Sequence, residues 1–179
     1  MNTNSFDDFI EQQTKSAQTT PIDWEKRLEE WKNYLDTFYS SVEEYLKPYI
    51  DAEKLSIDKT QIHLQEEYVG EYETQQLTIH LGSNTIRLKP VGTNLIAAKG
   101  RVDMLGPKGE VKFVLVNKDF SGPEINVRIW IKEEEQPPKE KVKPVTGWAW
   151  KIATPPPHIS YIELEQESFQ SALMEVVNG

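Results

Sequence analysis

None of the 179 residues is cysteine. Disulfides, thiolate zinc sites and cysteine nucleophiles are thereby excluded, and the composition suits a reducing compartment. Long apolar runs are missing too. No stretch approaches the roughly 20 residues needed to cross a bilayer. The opening MNTNSFDDFIEQQTKSAQTT has neither a basic start nor an apolar centre, so no secretory signal is expected there. Positive charge is scarce: 20 Lys and Arg stand against 29 Asp and Glu, a formal net charge of −9. That balance disfavours broad electrostatic binding to nucleic acid or to anionic membrane. The chain has no G-x-S-x-G elbow for a serine nucleophile and no glycine-rich phosphate loop. These absences predict a cytoplasmic protein with no cofactor, no membrane partner and no nucleic-acid partner.

What the chain does have is amphipathic order. Residues 1–19, rich in Asn, Thr, Gln and Ser, read as a flexible tail in which Phe6, Phe9 and Ile10 offer a short docking turn. Residues 20–179 then form one domain. Thr20 suits an N-cap, Pro21 a first helical position, and Asp23 the positive helix end. Trp24, Leu28, Trp31, Leu35, Phe38, Val42, Tyr45 and Tyr49 alternate spacings of four and three, a stripe along one helix face. Pro48 is expected to end or kink this helix near Tyr45 or Leu46.

After DAEKLSIDKT the apolar period falls to two. Strands are predicted at 61–69, 77–81 and 85–91, with a turn at Gly82-Ser83-Asn84. Segments 94–98 and 101–105 form two short strands, or one interrupted at Gly100. Residues 110–118 make the most apolar strand, placed near the centre, and 124–132 alternate through Ile125, Val127, Ile129 and Ile131. The stretch EEEQPPKEKVKP, 133–144, is an exposed charged loop. Strands at 147–153 and 159–164 follow, then an amphipathic helix over 165–179 that ends at Asn178-Gly179. The fold class is α+β: a long N-terminal helix packed on an antiparallel meander of six to eight strands, with a short C-terminal helix.

One hairpin carries a chemical suggestion. With Gly106-Pro107-Lys108-Gly109 as the turn, Leu105 opposes Glu110, Met104 opposes Val111 and Asp103 opposes Lys112. Val102, Met104, Val111, Phe113 and Leu115 then face a core, and Arg101, Asp103, Glu110 and Lys112 face the other way. Over about ten residues this resembles the core of the PD-(D/E)xK nucleases. The resemblance implies that Asp103 and Glu110 hold a divalent metal and that Lys112 assists the attacking water. The chain departs from that family by continuing into another strand where a shielding helix is usual. The competing reading is a solvated charge ladder.

Other residues are weighed in the same way. His63 and His80, near Glu66 and Glu67, have the side chains of a zinc site, but strand spacing leaves their distance open and they read as exposed sheet histidines. Arg87, Lys89, Lys99, Arg101, Lys108, Lys112 and Lys118 form a basic segment holding only Asp103 and Glu110, whereas everything after Lys151 is acidic. This segregation either makes a positive sheet face that binds phosphates or an acidic partner, or is neutralised by the acidic helices packing over it. Trp24, Trp31, Trp148 and Trp150 suit either core or interface, and Trp130, between Arg128 and Lys132, suits a contact point.

The function these features favour is a non-catalytic interaction protein, with Trp24, Trp31, Trp130, Trp148 and Trp150 as partner-binding residues. The alternatives are the metal-dependent nuclease and a small-molecule-binding domain lined by Trp148, Trp150 and the helix aromatics. Self-association is expected from length. A helix from Pro21 to Leu46 spans about 39 Å, whereas a six-residue strand spans about 20 Å. Half of the stripe then needs cover from a homodimer partner, from the N-terminal tail, or from 133–158 folding back.

Overall fold

The computed structural model describes residues 23–93, 98–123 and 147–179. The proposed tail, the Thr20-Pro21 start, the strand at 124–132 with Trp130, and the loop at 133–144 lie outside them. Helix α1, Trp24–Asp51, starts later than the expected Pro21, because Asp23 is extended and its carboxylate accepts the Lys26 N–H at 3.0 Å as the cap. Pro48 does not end it, contrary to expectation. Proline in the last turn forfeits only the bond to the Glu44 carbonyl. The Lys47–Asp51 ion pair spans it at 3.2 Å, and Lys54 N–H closes on the Tyr49 carbonyl.

Seven strands follow: β1, Ser56–Glu66; β2, Gly70–Leu81; β3, Asn84–Gly92; β4, Gly100–Leu105; β5, Glu110–Asn117; β6, Trp148–Ala153; and β7, Tyr161–Glu163. Each pairs antiparallel with its sequence neighbour, in the order β1 to β7. Helix α2, Gln166–Asn178, closes the described chain. The architecture is thus α+β, a meander sheet with both helices on one face. Among the described residues no helix is long and apolar enough to cross a membrane.

The largest departure from expectation is the first hairpin. Where the sequence pattern puts one strand at 61–69, β1 already begins at Ser56, turns at Glu67, Tyr68 and Val69, and returns as the 12-residue β2. β2 pairs with β3 only from Leu77 to Leu81. Beyond that the two strands part, and the β1–β2 ribbon leaves the sheet as an arm. Its buried positions change parity, from Leu77 and Ile79 to Tyr72 and Thr74, while its own register stays unbroken. Strong twist in a two-stranded ribbon does this, turning the opposite face inward. The arm lies along the N-terminal half of α1: Tyr68 stacks on Trp24, and Lys32 sits 5.8 Å from the Tyr72 ring centre.

The middle of the stripe is therefore covered within the chain. Trp31, Leu35, Phe38, Val42 and Leu46 are each 2% exposed or less. The 20 Å limit was the faulty premise, because strands of 11 and 12 residues reach about 37 to 40 Å. Trp24, Leu28 and Tyr45 are half-buried, and Tyr49 at the far end is 41% exposed.

Tyr39 fills the fork where β2 and β3 part. Its hydroxyl lies 2.7 Å from the Gln75 carbonyl and 3.3 Å from that of Leu88, so one proton serves both strands. Burial pushes its pKa well up; Tyr72 is pushed up likewise, first by burial and then by the Glu66 carboxylate at 2.6 Å. Below about pH 10 folded and unfolded chains both keep these protons. Above it the unfolded chain loses protons the folded one retains, so stability falls, by up to about 1.4 kcal/mol per pH unit for each tyrosine. Urea midpoints between pH 9 and 11.5 are expected to decline, and Tyr39→Phe is expected to remove one share of the slope.

Between α1 and the sheet the aromatic rings pack in series. Phe38 meets Trp150 at 4.8 Å and Phe113 at 5.1 Å, Phe113 meets Phe169 of α2 at 6.0 Å, and Trp31 meets Trp150 at 6.0 Å. The Trp150 indole N–H donates to the Tyr34 carbonyl at 3.0 Å. α2 enters this core through Phe169, Ala172, Leu173 and Val176.

Candidate functional site

The hairpin predicted at 101–115 forms in the expected register, from Leu105↔Glu110 through Asp103↔Lys112 to Gly100↔Leu115. Val102, Met104, Val111, Phe113 and Leu115 are buried in the core, and Arg101, Asp103, Glu110 and Lys112 line the opposite face. There Lys89, Asp103 and Lys112 stand opposite one another across β3, β4 and β5. Arg101 grips both oxygens of Asp103, at 2.9 and 3.0 Å, and Lys112 lies 3.3 Å from Glu110. Asp103 and Glu110 are diagonal neighbours, a placement that separates positions by about 7 to 8 Å. Each carboxylate has its own cation. Among the described residues no three His, Cys, Asp or Glu side chains group so as to hold a metal.

The histidines are likewise apart. His63 pairs with Glu73 at 3.0 Å and His80 with Asp58 at 2.9 Å, on opposite faces of the β1–β2 ribbon. Of the two alternatives for the basic face, cover by the C-terminal helix is excluded: α2 packs on the core face, because its apolar stripe faces the sheet side occupied by Phe113. Three of the seven cations in the basic segment instead pair with nearer carboxylates, Lys99 with Glu30, Arg101 with Asp103 and Lys112 with Glu110.

The tryptophans separate into two groups. Trp31 and Trp150 are 0% and 8% exposed and offer no free face to a partner. Trp150 packs on Trp31 and Phe38 at 6.0 and 4.8 Å, whereas Trp148 borders an open cleft. Trp24 and Trp148 are half-buried at the N-terminal end of α1. Asp23, Lys26, Arg27, Glu30, Ala98, Lys99 and Trp148 line a cleft of about 470 Å³ there. Arg27 lies 5.3 Å from the Trp24 ring centre on one side, and its guanidinium donates to the Thr93 carbonyl at 2.9 Å. On the other side the Lys99 ammonium lies 5.3 Å from the rings of Tyr34 and Trp148 and bonds Glu30, holding that carboxyl below the usual range.

Linked to Arg27 through Thr93 is a polar knot that the sequence pattern did not single out. The buried Glu66 carboxylate accepts from the Tyr72 hydroxyl at 2.6 Å, from Thr93 N–H at 2.8 Å and from the Thr93 hydroxyl at 3.0 Å. It ties the arm to the end of β3. A Cβ on Gly92, which has φ of +128°, would fall 2.6 Å from the Glu66 carboxyl carbon, so only glycine fits. The signal available was thin: a Gly-Thr pair after a strand, and a glutamate at a strand end. No protein-family model, curated protein or solved structure matches this chain.

Proposed function

We propose that the protein is a non-catalytic interaction module that engages a protein partner through the cleft at the N-terminal end of α1. One observation supports this reading above others. Two tryptophans and Tyr68, which is 58% exposed, are held at the surface by packing and cation contacts with Arg27 and Lys99. Rigid aromatics beside arginine are the residue types that dominate binding energy at protein interfaces. Their side chains are already ordered, so little rotamer freedom is lost on association. The fitting partner segment places an apolar side chain against Trp148 and an acidic group beside Lys26 and Arg27. The test compares wild type with the double variant Trp24→Ala/Trp148→Ala as immobilised bait in extracts of the native cell. A partner captured by wild type is expected to fall at least tenfold with the variant, while far-UV circular dichroism stays unchanged. Equal capture by a folded variant refutes the proposal.

A further inference from the structure

β1 is an 11-residue edge strand, and among the described residues no strand pairs with its outer side. An open edge presents unpaired N–H and C=O groups along its whole length. Native chains guard such edges with prolines, bulges or uncompensated charges. β1 has no proline, and its register with β2 runs unbroken from Ser56 to Glu66. Its ionisable side chains are all engaged inside the chain. Asp58 pairs with His80 at 2.9 Å, Lys59 with Glu43 at 2.8 Å and His63 with Glu73 at 3.0 Å, and Glu66 belongs to the buried knot. The guards are thus neutralised by neighbours on β2 and α1.

From this we propose that two copies of the chain pair β1 with β1, antiparallel, continuing one sheet across a two-fold axis with Ile62 opposite the partner's Ile62. The proposal is independent of the cleft at the N-terminal end of α1, whose lining includes no residue of β1. Length selects the occupant. The opposite edge, β7, offers three residues, so head-to-tail stacking of sheets leaves most of β1 unpaired, whereas a second β1 matches it along its length. A two-fold axis normal to the sheet keeps opposed residues on the same face, which restricts the centre to a residue.

Side-chain chemistry then selects among the centres. About Gln61, Lys59 faces the partner's His63, two groups of like sign when the histidine is protonated. About Thr60, Asp58 faces the partner's Ile62, a charge against an apolar side chain. About Ile62, the two isoleucines meet, Thr60 faces the partner's Leu64, and Lys59 faces the partner's Gln65. The outermost pair, Asp58 with the partner's Glu66, is like-charged, but both carboxylates already have partners in their own chain. Ile62 and Leu64 are only half-buried in one copy, so pairing removes further apolar surface from water.

The absence of cysteine makes the test clean. Ile62→Cys, Thr60→Cys and Leu64→Cys each introduce a single thiol into the full-length chain, and each is oxidised with copper phenanthroline at tens of micromolar. Covalent dimer is expected at position 62 in large excess over 60 and 64, because only residue 62 meets itself. In sedimentation equilibrium wild type is expected to be dimeric, and Ile62→Lys to raise the dissociation constant about tenfold or more by setting two ammonium groups face to face. A single 20.7 kDa species for wild type at the same concentration overturns the proposal. So does a dimer that Ile62→Lys leaves intact, or equal cross-linking at all three positions.

Discussion

Gly100→Ala is expected to destabilise the fold by about 3 kcal/mol, the upper end for overpacking a close-packed core. The Trp31 indole lies flat on the bare backbone of Gly100 at the start of β4. A Cβ there falls 2.1 and 2.5 Å from two ring carbons of Trp31. The indole has little room to retreat: it is fully buried and packs on Trp150, ring centres 6.0 Å apart. The backbone of Gly100 is fixed in turn by its pairing with Leu115. A double-mutant cycle checks the cause. Trp31→Phe shortens the ring that collides, so Gly100→Ala measured in that background is expected to cost less than half as much. An equal cost in both backgrounds places the effect elsewhere.

Phe38→Ala is expected to cost about 4 kcal/mol, within the range for removing a buried phenylalanine. Phe38 is 0% exposed and touches the rings of Tyr39, Phe113 and Trp150. It is the contact through which α1 meets both β5 and β6. Because these neighbours are large, stiff rings held from behind by Phe169 and Trp31, the vacated space cannot collapse. Urea unfolding followed by tryptophan fluorescence measures the loss, and an unchanged slope confirms that the change is in stability. A cost under about 1.5 kcal/mol contradicts the packing described.

The parts of this structure legible in the sequence are those in which one face is dry and the other wet. The hairpin alternates from Arg101 to Phe113 about a Gly-Pro-Lys-Gly turn, and its register follows residue by residue. The α1 stripe and the C-terminal helix are equally plain. β1 was illegible over Ser56 to Thr60 because an edge strand bears polar residues on both faces, so SIDKT resembles a linker. The return into β2 was hidden by a turn with no Asn-Gly or Asp-Gly signal. Pro48 misled because a proline's cost depends on how many helical bonds remain beyond it, which sequence does not reveal. For the candidate site, aromatic content singled out Trp24 and Trp148 but did not separate them from Trp31 and Trp150. That separation depends on which ring meets another ring, a matter of tertiary register. The knot around Glu66 joins an arm tip to a strand end, and no local pattern encodes such a meeting.

The bond from the Trp150 indole to the Tyr34 carbonyl joins residues 116 positions apart in the chain. Translation delivers α1 first and β6 long afterwards. On the ribosome the apolar stripe of α1 is therefore complete before any strand that covers it has been made. The arm formed by β1 and β2 arrives next and shelters the N-terminal half early, but Phe38 waits for Phe113 and then for Trp150. A nascent chain halted before Trp148 displays an aromatic seam that the finished molecule never shows. Chaperone capture in the cell is expected to depend on where elongation pauses and to end once β6 has paired.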